Sequence, residues 1–155
     1  MNAKKILVPT DFSYSGQSAL RFATSLARES GATLLIAHAE EMPVAYGAGQ
    51  FALTPLPDAD ELRALLTTVV PSDPAVRCEH RLLSGDPASQ IVQLAANEGV
   101  DLIVMGTHGR TGLKRMLMGS VAEAVVRRAS CPVLTIKHPE EIPIESQPAE
   151  QAANL

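Results

Sequence analysis

The chain has 155 residues, 46% of them hydrophobic and 19% charged, with a formal net charge of −4. That length suits one domain with a substantial buried core, and with no Trp and 3% aromatic residues the core falls to Val, Leu, Ile and Ala. The acid excess lies in residues 138–155, where Glu140, Glu141, Glu145 and Glu150 meet no Lys or Arg, so the 13 basic residues of the body face as many acids. A nucleic-acid footprint, which needs a basic excess, is excluded. The tail reads as a disordered, solvating extension, and residues 1–137 as the folded domain. No apolar run is long enough for a membrane span, and Ile6-Leu7-Val8 before Pro9 is too short for a signal peptide. Cys78 and Cys131, without CxxC spacing, fit a reduced cytoplasmic protein.

Short apolar runs between helical patterns predict buried parallel strands. Ile6–Val8 is the first. A helix follows over Ser13–Ser30 with an apolar stripe at Ala19, Leu20, Ala23, Leu26 and Ala27, and Gly31 suits its left-handed C-terminal position. Leu34–Ala37 is the second strand, and the Pro- and Gly-bearing connection from Glu41 to Leu56 reads as a mobile flap. Asp58 with Glu61 resembles a capping box opening a helix through Val70. The third strand differs, because Val76, Cys78, His80 and Leu82 alternate with Arg77, Glu79 and Arg81; that period belongs at a half-exposed edge. Asp86-Pro87 opens a helix running to Gly99. Leu102–Met105 is the fourth strand, Ser120 and Glu123 form another capping box, and Val133–Ile136 is the fifth strand.

This alternation demands an α/β fold: an open five-stranded parallel sheet, order 3-2-1-4-5, with helices on both faces. Its switch point falls between strands one and four, where the loops after Pro9 and Met105 open a crevice. Strand five would be an apolar edge. Either a second copy pairs with it through Val133, Leu134, Thr135 and Ile136, giving a homodimer, or the acidic tail folds over it.

The loop "MGTHGRTGLKRMLMGS", Met105 to Ser120, leaves that switch point. Gly106 and Gly109 permit close backbone approach to an anion. Gly119 and Ser120 sit at a helix N-terminus, whose amides and dipole favour negative charge. Arg110, Lys114 and Arg115 add charge suited to outer phosphates. The alternative is that the glycines only shape a turn and Ser120 only caps. There is no GxxxxGK[ST], no GxGxxG after the first strand, and no SGGxDS pattern.

The spacing Gly106-x2-Gly109-x9-Gly119-Ser120 joins "ILVPTDFS", "GDPASQIVQLA" and "CPVLTIK" in a chain that closely resembles the universal stress protein family, over Lys4 to Lys137. The resemblance implies the ATP-binding branch, a Rossmann-like fold, and dimers through the last strand. It implies that Gly106, Gly109, Gly119 and Ser120 hold phosphates, with Met105 and Val121 lining the site. Pro9, Thr10 and Asp11 would border adenine and ribose, Asp11 accepting from a ribose hydroxyl or else capping the helix. Ala39 stands where the family often has valine, giving adenine less apolar contact.

The expected function is therefore a stress-response regulatory module that binds ATP with Mg²⁺. A slow ATP hydrolase or phosphotransferase, or a nucleotide-free interaction protein, are the alternatives. His38, His80, His108 and His138 lack metal-ligand spacing, so no metal site is expected. Ser13, Ser15 and Ser18 read as caps and helix-face residues, Cys78 and Cys131 as packing residues, and Met116 and Met118 as anchors of the loop.

Overall fold

The computed structural model describes residues 3–41, 58–108 and 118–137. The flap expected beyond Glu41, the middle of the glycine loop with Met116, and the acidic tail with His138 lie outside the described residues.

Strands β1 (Lys5–Pro9), β2 (Thr33–Glu40), β3 (Cys78–Ser84), β4 (Leu102–Gly106) and β5 (Val133–Ile136) form one parallel sheet in the order β3-β2-β1-β4-β5. The connecting helices are α1 (Tyr14–Ser30), α2 (Ala59–Thr67), α3 (Pro87–Asn97) and α4 (Ser120–Arg128). Successive strand residues point to opposite faces. Ile6, Val8, Leu34, Ile36 and Val104 therefore pack with Ala19 and Ala23 of α1 and Leu66 of α2, whereas Leu7, Leu35 and Ile103 pack with Ile91 of α3 and Val125 of α4. Covering both faces is why the central strands are apolar without alternation. Each fully buried Leu or Ile contributes roughly 1.5–3 kcal/mol.

The helix ends follow local chemistry. Ser13 caps α1 by accepting from the Gly16 amide at 3.3 Å, and Gly31 ends it with φ 72°. Asp86 caps α3 through the Ser89 amide at 2.9 Å, with Pro87 in its first turn. Two helices depart from expectation. α2 stops at Thr67, where Thr68 caps it and turns its Oγ1 onto the Leu65 carbonyl at 2.6 Å; β-branched Thr68, Val69 and Val70 follow the last turn. α4 is opened by Gly119, not Ser120, and Glu123 pairs with Arg127 at 2.6 Å one turn on, so the expected capping box does not form.

At the amino rim of the sheet the Asp101 carboxylate accepts from the amides of Lys4 (2.8 Å) and Lys5 (3.0 Å). Lys5 Nζ reaches Glu98 at 2.8 Å, and Arg81 of β3 bridges Glu98 (3.4 Å) and Glu79 (2.9 Å). The Lys5 and Lys4 amides hold the Asp101 carboxyl below the usual carboxylate range, and the Lys5 ammonium does the same for Glu98. Cys78 and Cys131 are half-buried against the two cores, and burial pushes both thiols up. β5 is half-exposed at all four residues.

Candidate functional site

β1 runs out at Pro9, but the Thr10 amide still pairs with the Ala37 carbonyl at 2.8 Å, which carries the ladder one residue further. The chain then reverses through Phe12, whose φ of 64° makes it the described non-glycine residue in the left-handed region. Polar contacts within the turn hold it. Thr10 Oγ1 accepts from the Phe12 amide at 3.1 Å, and Asp11 Oδ1 accepts from the Ser13 amide at 3.0 Å and from the Ser13 hydroxyl. Ser13 thus caps α1, and Asp11 orients the cap.

β4 leaves the sheet next door. The Thr107 amide donates to the Ile136 carbonyl at 3.1 Å, and the Gly119 amide returns to the Thr107 carbonyl at 2.6 Å, so the chain enters α4 beside where it left β4. Gly119 offers no side chain to the first-turn amides of α4. Those amides carry the positive end of the helix dipole.

Between these turns lies a cleft of about 480 Å³ above the carboxyl ends of β1, β2 and β4. Pro9, Thr10, Asp11, Ala39, Met105, Gly106, Gly119, Ser120 and Val121, all expected in a site, line it together. Gly109 and Arg110 lie outside the described residues. The cleft is electrically two-sided: Asp11, Glu40 and Glu41 border the β1–β2 side, and the α4 N-terminus borders the other.

Gly106 has a second reason to be glycine that the sequence does not show. A Cβ built there would lie 2.2 Å from Ser15 Oγ and 3.0 Å from the Ser15 backbone carbon, so α1 can pack on β4 only without one. The Ser15 hydroxyl, pressed against this spot, is buried with no hydrogen-bond partner among the described residues.

Several lining residues escape a sequence reading: Leu62 of α2, Pro87 and Ile91 of α3, and Glu40 and Glu41. The α3 pair had a signal, because a helix following a parallel strand must begin at the carboxyl rim. His38 had one too. An imidazole inside an apolar strand must find a partner, and here its Nδ1 is 2.8 Å from the Thr10 carbonyl. Among the described residues no three His, Cys, Asp or Glu cluster to hold a metal ion, and no helix is long and apolar enough to cross a membrane.

A parallel sheet wound from its centre in both directions, with a cleft at the reversal, defines the doubly wound α/β class that takes ligands at the switch point. The chain belongs to the universal stress protein family, whose model matches residues 2–137. A universal stress protein of Methanocaldococcus jannaschii is 36% identical over 143 residues, covering 89% of this chain and 84% of its own length. A solved Lactobacillus plantarum universal stress protein superposes with a TM-score of 0.68 at 26% identity, covering 88% of this chain and 99% of its own. A universal stress protein solved in complex with cAMP superposes with a TM-score of 0.60 at 29% identity, covering 88% of this chain and 98% of its own.

Proposed function

We propose that this universal stress protein is a cytoplasmic regulatory module that binds an adenine nucleotide, ATP with Mg²⁺, in the switch-point cleft. The observation that carries the reading is the cleft's polarity. The α4 N-terminus, whose N-cap Gly119 makes no side-chain cap bond among the described residues, supplies amides for phosphates, with the Gly106 turn beside it. The acidic side places the Asp11 carboxylate where sugar hydroxyls can donate, and Ala37, Ala39, Met105 and Ile91 give an apolar bed for a base. These residues fit a nucleotide. The metal would be held by the phosphates themselves. The relative bound to cAMP supports the adenine part of the assignment.

Regulation is preferred over turnover because Glu123 and Asp11, the acids nearest the phosphate and ribose ends that a hydrolase could use as a base, have other work. Glu123 is held by Arg127 and does not line the cleft, and Asp11 orients the Ser13 cap. The half-exposed apolar β5 supports a homodimer through Val133–Ile136. Wild type should then sediment as a dimer and Thr135→Lys, a charge on the paired edge, as a monomer; an unchanged oligomeric state in the variant would remove β5 from the interface.

Thermal unfolding with Mg-ATP, cAMP and tripolyphosphate tests the site. A nucleotide at 100 times its Kd stabilises by about 2.7 kcal/mol, which is roughly 5–10 °C for a chain of this size. The rise is expected with an adenine nucleotide, not with tripolyphosphate, and not in Gly119→Val. No rise with any adenine nucleotide, in protein whose denatured supernatant contains none, would overturn the reading.

A further inference from the structure

Among the described residues no histidine belongs to a cluster that could hold a metal ion, yet one of them sits at the joint between the sheet and the turn that bears Asp11. His38 is buried, at 7% exposure, near the end of β2. Its Nδ1 lies 2.8 Å from the Thr10 carbonyl, which can only accept, so Nδ1 carries the proton and donates. Its ring packs on Phe12, centroids 4.6 Å apart and planes tilted by 44°. Phe12 is the residue whose backbone the turn forces to φ 64°. A bulky side chain does not adopt that conformation on its own and persists there only where its surroundings over-determine it.

Taken together, one imidazole grips both ends of the reversal. It holds the carbonyl of Thr10 before the turn and the side chain of Phe12 at its apex. Asp11 lies between the two, and its carboxylate receives the Ser13 amide at 3.0 Å while bordering the cleft. Release of the imidazole leaves the Thr10 carbonyl without this donor and lets Phe12 relax to negative φ, which swings Asp11 away. We propose that His38 is a positioning residue for the ligand site: by clamping Thr10 and Phe12 it holds the β1–α1 turn in the strained form that presents Asp11 to the cleft.

Three substitutions separate this role from simple packing. Asn places an amide donor where Nδ1 stands, Gln places it about one bond further out, and Leu removes it. The first readout is amide hydrogen exchange at Phe12 and Ser13 in ligand-free protein, which does not depend on the nucleotide reading. Protection at both amides should persist in His38→Asn and fall by about tenfold or more in His38→Gln and His38→Leu, relative to amides in β1, as expected when one buried hydrogen bond is lost. Should His38→Leu fail to fold, the Asn and Gln pair still decides. Equal protection in Asn and Gln variants, or a loss spread evenly over β1 and α1, overturns the proposal.

The second readout, Mg-ATP affinity, rests on the proposed function. Affinity scales with the fraction of molecules whose turn is competent, so it should stay within about threefold in His38→Asn and drop about tenfold in His38→Gln. The expected exchange pattern in the variants, together with a wild type that binds no nucleotide, would uphold the clamp and sink only the nucleotide reading. Unaltered affinity in both variants, with wild type binding normally, would overturn the clamp's role in the site.

Discussion

At the amino rim, the Asp101 carboxylate is met by two backbone amides, Lys5 by Glu98, and Glu98 again by Arg81. At the carboxyl rim, α4 opens on a glycine, Phe12 is held at a positive φ, and among the described residues α4 has no side-chain cap and the buried Ser15 hydroxyl no partner. The same strands run through both rims, so the difference does not come from the sheet. It lies in where the chain commits its polar groups: to each other at the amino end, and at the carboxyl end partly within the β1–α1 turn and partly along the cleft, through Asp11 and the first turn of α4. Stability gathers where groups are mutually satisfied, and binding capacity where they are left facing outward.

That division can be broken by experiment. The largest effect is expected at Gly106, where α1 packing and cleft lining meet in one residue. Gly106→Ala sets a Cβ 2.2 Å from Ser15 Oγ and should cost about 3 kcal/mol, the upper range for overpacking. Adding Ser15→Gly removes both the hydroxyl and the Cβ it meets, and chemical denaturation should show recovery of about half the loss. Strict additivity of the two changes would mean that the close approach of α1 is not what demands the glycine.

Asp101→Asn comes next. Its carboxyl titrates below the ordinary value of about 4 in the folded chain. Its contribution is therefore complete above that value and disappears as pH falls through the lower, folded one. Because the group is exposed, about 1 kcal/mol at pH 7 is the expected loss. The gap between variant and wild-type urea midpoints should narrow from pH 5 to pH 2, and a pH-independent gap would contradict the assignment. Glu98→Gln should give the smallest change, of the kind exposed ion pairs contribute. Neither amino-rim variant should alter nucleotide affinity; a change there would erase the contrast between the rims.

The strand order, both faces and the charged edge at β3 are legible in the sequence, because buried strands and amphipathic helices leave patterns a few residues long. Gly31, Asp86 and Pro87 mark helix ends by local rules and do so in the structure. Ser120 with Glu123 satisfies such a rule and fails. The helix starts one residue earlier, on Gly119, and Arg127, four residues along, takes the Glu123 carboxylate. Nine of the twenty residues that line the cleft could be named in advance: the loop glycines and Ser120 from the switch point, the others from the family resemblance. The second demand on Gly106 and the grip of His38 could not, for each depends on which side chain another element brings to it.

The central strand also bears on how the chain is made. β1 pairs with β2 on one side, within the first 40 residues, and on the other only through Ile6 with Leu102 and Leu7 with Ile103. During synthesis the N-terminal half emerges with one flank of its middle strand unmatched, waiting for a segment most of the chain away. The first-turn amides of α4 arrive later still. A ligand that needs both walls of the cleft would therefore meet them only once α4 is in place.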